Sequence, residues 1–484
     1  MRRNLIRKLV AAVCVFSFGA TAFAQLSNRV AYTLLDGSVL VDDCPICGRP
    51  TIEEPLRGAF DLVPRQITPP YSRYDVTNID FIAGAGTSLE RRITGSGTYV
   101  RFEEFAILQD MTLAVQIKDA YTNRTAYFTN ESRSVSKPFP LIDLTLDQTN
   151  PIPLQRFAIR LFAAPVREIW FSTTRSLTST NRPPPTNQIN AGDLISNHGR
   201  VVKRNQDLVR NLGVMPPIAD LGLDAVQILK GGEILFSLPR NVFSETLGLI
   251  QHGDLLSSRG AIVRRNQRLL AAFHPATTND AGLDGFRLLP TGEVLFSIQS
   301  NILTASGTTL SRGDILSDQG YIFKSHQRLM TNFHPNATNY DFGLDAFQIL
   351  PSGEIWFSVE EGFTDTKIGV VKAGDLLSDF GFRVLKNEDL VAGFAPADPS
   401  TDYGLDALFV ITDTEPVRLA PRFVQQAATN GALHLQWDGD GAVFQLEHAP
   451  DPSGPWTTCS PVLPDISWDP ASTDPFTFFR LRQW

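Results

Sequence analysis

Beyond residue 24 this chain of 484 residues has no apolar run of 18 or more, so nothing after that point can cross a bilayer as a helix. It has no second Cys-x-x-Cys and no His-x3-His that could complete a zinc set with Cys44 and Cys47. Gly-x-Ser-x-Gly, His-Glu-x-x-His and phosphate-loop patterns are missing too, which removes the usual sequence support for hydrolase, metalloprotease and nucleotide roles. Basic residues are outnumbered, 43 against 51 acidic. A chain short of positive charge is a poor partner for nucleic acid. Against only 4 cysteines and 4 methionines stand 43% hydrophobic residues, 35 glycines, 32 prolines and 32 phenylalanines. That composition excludes a coiled coil, a collagen and a disordered tail. It leaves about two to four domains with real cores.

The first 24 residues hold Arg2, Arg3, Arg7 and Lys8, no acid, and an apolar run from Leu9 to Phe23 that ends in Ala22-Phe23-Ala24. This is the pattern of a secretory signal peptide cut before Gln25. Cys14 follows Val13 after too short an apolar stretch to suit lipidation. Loss of those four cations takes the formal charge from −8 to −12. The mature protein is expected to be exported to the periplasm, outer surface or medium, with no membrane span. In that setting Cys44-Pro45-Ile46-Cys47 reads as a local disulfide pinning a loop, because Gly48-Arg49-Pro50 is a poor start for the helix a redox pair would need. Cys459 is then an unpaired, buried thiol.

Residues 25–150 read as a β domain, a sandwich or a barrel. Val30 to Val41 folds back at Asp36-Gly37; Tyr74 to Phe81, Gly97 to Val100 and Tyr127 to Thr129 are β-rich; Met111 to Ile117 alternates strictly and puts its apolar side chains on one face. Residues 131–154, with Pro138, Pro140, Pro151 and Pro153, read as the connector.

Residues 155–419 are a repeat. Gly-Asp-Leu/Ile-Leu/Ile-Ser recurs at Asp193, Asp254, Asp314 and Asp375, at intervals of 61, 60 and 61. Gly-Leu-Asp recurs at Asp224, Asp284, Asp345 and Asp406, and Phe-Ser at Phe171, Phe236, Phe296 and Phe357. A fourth marker is Asn205, Asn266, His326 and Asn387, each followed three residues on by leucine. Each period holds four short β-like runs, in the third unit Asp314 to Ser317, Tyr321 to Lys324, Leu344 to Leu350 and Glu354 to Val359. Four strands per repeat, too few to bury a core alone, describe a propeller-like array. Phe157 to Phe162 with Glu168 to Ser172, and Gly404 to Leu419, match the last hairpin of a unit. Five bladed positions with one incomplete, or four plus a capping hairpin, both fit.

Residues 420–484 alternate again, as in Leu433 to Trp437 and Val443 to Glu447, and predict a small β-sandwich. This segment resembles the fibronectin type III-like module that ends many secreted proteins of Verrucomicrobia and related bacteria. The segment Cys44 to Pro50 and the Gly-Leu-Asp-Ala repeats resemble a group of uncharacterised exported proteins from those bacteria. The resemblance implies secretion and β architecture and brings no activity with it.

Each repeat carries Asp-x-Gly-Leu-Asp, pairing Asp220 with Asp224, Asp280 with Asp284, Asp341 with Asp345 and Asp402 with Asp406. Two carboxylates around a glycine turn make these eight the calcium candidates. The alternative, preferred here, is that each Asp accepts backbone N–H bonds and fixes a turn, as Asp193, Asp254, Asp314 and Asp375 would also do. Paired acids also suggest glycoside hydrolysis, but catalytic acids should break a repeat and these obey it. His274 and His334, in matching Phe-His-Pro segments, become Ala395 in the next unit and read as exposed loop residues. No catalytic residue and no cofactor is assigned. The expected function is binding of a surface glycan or protein; a glycoside hydrolase or lyase and a structural envelope component are the alternatives.

Overall fold

Alternation in Met111–Lys118 is carried into the fold directly: Met111, Leu113, Val115 and Ile117 are buried while Thr112, Ala114, Gln116 and Lys118 are exposed. The computed structural model describes residues 29–484 apart from 45, 104–106, 131–132, 135–136, 138, 338–339, 414–419, 430–431 and 471–476. The leader, its cut at Gln25 and Cys14 lie outside the described residues. Eight strands, Val39–Asp43, Ile52–Thr68, Tyr71–Ala83, Arg91–Glu103, Ile107–Lys118, Asn123–Thr129, Ile142–Gln148 and Arg156–Ala164, pair antiparallel in that order. The last returns to the first, from Arg156↔Asp43 to Arg160↔Val39, so the sheet is a closed barrel. Its interior is filled by Leu40, Phe60, Phe81, Ile93, Tyr99, Phe128, Leu146 and Ile159. Gly58, at φ 134°, lets two long strands cross closely, since a Cβ there would lie 2.0 Å from the Asp80 carbonyl.

Three sequence readings change here. Asp36-Gly37 is a turn, but its flanking strands do not pair with each other; both Val30–Leu34 and Val39–Asp43 pair with Ile52–Thr68 and Arg156–Ala164. The stretch 131–154 is more than a connector, because Ile142, Leu144 and Leu146 alternate inward and complete the barrel. Arg156–Ala164, read from the sequence as part of a repeat hairpin, is a barrel strand, and the first strand of the repeat sheets begins at Val166.

The repeats form four four-stranded antiparallel sheets. From inner to outer strand, the second is Ala225–Ile228, Ile234–Ser237, Leu255–Ser257 and Ala261–Arg264. The third is Phe286–Leu288, Val294–Phe296, Ile315–Ser317 and Tyr321–Lys324; the fourth is Phe347–Ile349, Ile355–Phe357, Leu376–Ser378 and Phe382–Leu385. The first is made from both ends of the region: Leu408–Thr412 supplies the inner strand, against Val166–Phe171, then Leu194–Ser196 and Arg200–Lys203. The four inner strands neighbour one another in a cycle, so the array closes on itself. Neither five positions nor a separate capping hairpin is present, because the unmatched hairpin halves at the two ends are halves of one sheet. The phase also differs from the sequence reading. Ile315–Ser317 joins the hairpin before it, through Phe296↔Leu316, not the hairpin after it. The chain passes to the next sheet through a short helix at the Asn marker, such as Asn266–Leu270, whose leucine Leu269 is buried.

Ser172, Ser237 and Ser358, the serines of Phe-Ser, donate to the carbonyls of Leu223, Leu283 and Leu405 in the next unit at 2.6, 2.8 and 2.9 Å. Gln227 exchanges two bonds with Leu288, and Gln348 two with Val410. These bonds fasten neighbouring sheets, including the fourth to the first.

The second compact unit centres on residues 417–484. Its two three-stranded sheets, one built on Ala432–Asp438 and the other on Phe444–Ala449, enclose Leu435, Trp437, Phe444, Leu446 and Leu481.

Candidate functional site

The two carboxylates of Asp-x-Gly-Leu-Asp have opposite fates. The first of each pair caps the turn. Asp220, Asp280, Asp341 and Asp402 accept the N–H of Gly222, Gly282, Gly343 and Gly404 at 2.9–3.2 Å. Each also accepts the N–H of the glycine that opens a Gly-Asp-Leu/Ile motif, Gly192, Gly253, Gly313 or Gly374, at 3.1–3.3 Å. A side chain on Gly192 would sit 2.4 Å from Asp220 Oδ1, which is why glycine recurs there. Asp193, Asp254, Asp314 and Asp375 behave as the sequence suggests: each takes the N–H of the marker residue, Asn205, Asn266, His326 or Asn387, at 2.8–3.2 Å. The Asn205 amide then bonds the Gly192 and Gly222 carbonyls and the Leu221 N–H. It is a buried hub whose recurrence marked it in the sequence without revealing its job.

The second carboxylates do not cap turns, which corrects the preferred reading for Asp224, Asp284, Asp345 and Asp406. They lie one or two residues before the four inner strands, whose cycle brings them close enough at the axis of the ring to act on one another electrostatically. Asp224 and Asp284 are buried; Asp345 and Asp406 are partly buried. Burial raises the pKa of all four, and mutual repulsion adds to this at Asp224, Asp284 and Asp345. Asp406 is pushed up to about 7 by burial. Gln299 Nε2 donates to Asp224 Oδ2 at 2.9 Å, whereas Asp284 Oδ2 has no hydrogen-bond partner.

The repeat is broken beside these acids. Three residues after the phenylalanine of each Phe-Ser stand Thr174, Pro239, Gln299 and Glu360, packed on the turn glycines Gly404, Gly222, Gly282 and Gly343. Glu360 is held by Arg312, its pKa raised chiefly by burial, and its charge is the largest neighbouring influence on Asp284. The sequence signal was available in the change from Thr174 to Pro239, Gln299 and Glu360 at one fixed distance after Phe-Ser. Among the described residues no three His, Cys, Asp or Glu side chains are grouped so as to hold a metal ion.

Cys44 and Cys47 form a disulfide. Cys459 is free and partly buried rather than buried outright; burial pushes its thiol up to about 11. His274 and His334 are exposed. No helix among the described residues is long and apolar enough to cross a membrane.

No protein-family model and no curated protein matches the chain. Among solved structures it is similar to the extracellular domain of a putative hybrid two-component system from B. thetaiotaomicron, at 9% identity and a TM-score of 0.19 over 89% of this chain and 74% of that one. A second such extracellular domain from that organism aligns at 8% identity and a TM-score of 0.20, over 87% and 75%. Superpositions this loose define neither a common fold nor a common ligand.

Proposed function

We propose that the chain is an exported, non-catalytic binding protein whose ring is a four-bladed propeller, taking a glycan or protein ligand on its surface. One observation carries this. Each unit inserts a two-stranded hairpin at the same place, and the outward cross-strand pair on it changes from unit to unit: Thr178 with Gln188, Phe243 with Leu249, Leu303 with Thr309, Thr364 with Val370. A constant frame presenting variable, partly apolar side chains suits recognition. The Cys44–Cys47 disulfide supports an oxidising compartment. The C-terminal unit fits a fibronectin type III-like spacer, and kinship with exported Verrucomicrobia-like repeat proteins is part of the same reading. It invokes no cofactor; calcium at the axial acids is its competitor.

The asymmetric pair Glu360 and Asp284 beside the axis favours, as a second reading, a carbohydrate-active enzyme. A glycan array and a surface-protein pull-down with the mature chain test the proposal. Retention of one glycan or protein class, lost on Phe243→Ser with Leu249→Ser, is expected. Release of shortened sugars, abolished by Glu360→Gln, would replace it with the enzyme.

A further inference from the structure

The outer edge of a sheet is where the ring can accept a further backbone segment, and the fourth sheet already takes one from the barrel of the same chain. Its outer strand Phe382–Leu385 pairs as Leu377↔Arg383 and Leu376↔Leu385, leaving Val384 as a bulge without a ladder partner. The Val384 carbonyl accepts the backbone N–H of Asp36, from the barrel, at 2.8 Å. Asp36 also pairs with Arg383 at 2.9 Å, and Arg57 of the barrel pairs with Asp389 on the short helix that follows. Docking therefore uses a bulge carbonyl flanked by charge.

The second sheet repeats this edge with its charge changed. Its outer strand Ala261–Arg264 carries the same bulge at Val263, between Leu256↔Ile262 and Leu255↔Arg264. The Val263 carbonyl takes the guanidinium of Arg264 at 3.0 Å. Arg268 stands where the fourth unit has Asp389. Arg265 is held by Asp254 at 2.7 Å, whereas Arg264 and Arg268 are exposed and, among the described residues, have no carboxylate partner. A groove of 1340 Å³ runs along Gly260–Arg265, walled by Arg268 and Ala272 on one side and by Asp318 and Gln319 of the third unit on the other. In a chain with an excess of acid, this is a cationic channel beside an unpaired strand edge.

We propose that this groove docks an extended acidic segment of a partner protein as an added strand. Backbone N–H groups of the segment reach the Val263 carbonyl, and its carboxylates reach Arg264 and Arg268. The inference rests on the reading of the chain as a binding protein and names the partner chemistry for one face of it.

The test uses the full mature chain and a fluorescein-labelled eight-residue peptide alternating Glu and Val, followed by anisotropy. Arg264→Glu combined with Arg268→Glu should weaken binding at least tenfold, while Arg328→Glu at the matching place in the third unit changes it less than twofold. A peptide of the same charge with N-methylated backbone should bind at least tenfold more weakly than its parent. Equal binding of the N-methylated peptide would overturn the proposal, since charge alone would then suffice. Loss through Arg328→Glu as large as through the double variant would also overturn it, as would peptide-insensitive self-association abolished by the double variant. Both sites are exposed, so melting of the variants should match the parent; if it does not, Arg268→Ala replaces them with the same expected direction. A parent chain that ignores the peptide but retains a glycan ends this inference and spares the binding reading. A chain that retains no ligand of any class ends both.

Discussion

The barrel and the ring both close on themselves, but around opposite chemistry. The barrel joins eight strands edge to edge and fills its interior with apolar and aromatic side chains. Closure there follows from burying one face of an alternating pattern. The ring sets four separate sheets around the cycle of their inner strands and gathers at its axis a carboxylate from just before each inner strand. Nothing in alternation asks for that. Apolar clusters span neighbouring sheets of the ring, and a set of specific bonds also passes from unit to unit, Ser172 to Leu223, Ser237 to Leu283, Gln227 to Leu288 and Gln348 to Val410. The difference teaches that a repeat can gather one carboxyl from every unit when burial raises their pKa values and so relieves their mutual repulsion.

The comparison breaks most visibly at the seam. Val410 donates its N–H to Gln348 and pairs with Ile169 in the strand that joins the end of the ring to its start. Val410→Pro removes that donor, leaves the buried Gln348 oxygen unpaired and constrains an inner strand, so the expected loss is the largest of those considered, above the roughly 1–3 kcal/mol of an unpaired buried acceptor alone. Urea unfolding followed by hydrogen exchange should show the four sheets loosening together while barrel amides stay protected. Loosening confined to the first sheet would mean that closure is not cooperative.

A smaller effect separates the two kinds of aspartate. Asp402→Ala leaves the N–H groups of Gly374 and Gly404 without their acceptor, an expected loss of about 1–3 kcal/mol in chemical denaturation. Asp406→Ala, which removes no turn cap, should lose clearly less at neutral pH. If the two variants lose equal amounts, the division between turn-capping and axial acids is wrong.

The smallest effect compares two serines in the same position. Ser237 bonds Leu283, but Ser297 Oγ is buried with no partner; beside it Gly285 replaces the alanine found in the other units, and the Phe347 ring lies where that alanine's Cβ would be. Ser237→Ala should cost about 1 kcal/mol and Ser297→Ala close to nothing. Matching losses would show that Ser297 makes the same bond in solution.

Much of this was legible beforehand, for reasons that differ by region. Met111 to Ile117 announced a one-sided strand, since a half-buried strand must alternate. The markers at Asp193, Asn205, Phe171 and Asp224 gave the period; the first two recur because Asp193 and its equivalents accept the N–H of the marker residue in every unit. Three things were hidden. Ile142–Gln148 and Arg156–Ala164 look local, and only long-range pairing assigns them to the barrel. The sheet phase depends on Phe296 meeting Leu316 across an intervening hairpin, which spacing alone cannot distinguish from the next hairpin along. The two acids of Asp-x-Gly-Leu-Asp share a turn in sequence, and only the direction of the chain leaving Gly222 or Gly404 decides which one faces backbone N–H groups and which one faces the axis.

The central claim is that the axial acids keep protons that ordinary aspartates have lost. In the folded chain partial burial pushes Asp406 up to about 7, well above the usual range near 4 that it regains on unfolding. Its contribution to stability is therefore fully present below that lower value and is lost as pH rises through 7. Asp224, Asp284 and Asp345 shift in the same direction. The direct measurement is the melting temperature of the parent and of Asp406→Asn from pH 5 to 8.5, with chelator and with excess calcium. The account predicts that the parent melts lower at pH 8 than at pH 5 whether or not calcium is present, and that Asp406→Asn has a shallower slope and melts above the parent at pH 8. A parent whose melting is independent of pH would contradict it, as would a parent restored at pH 8 by calcium alone, which would make the axis a cation site.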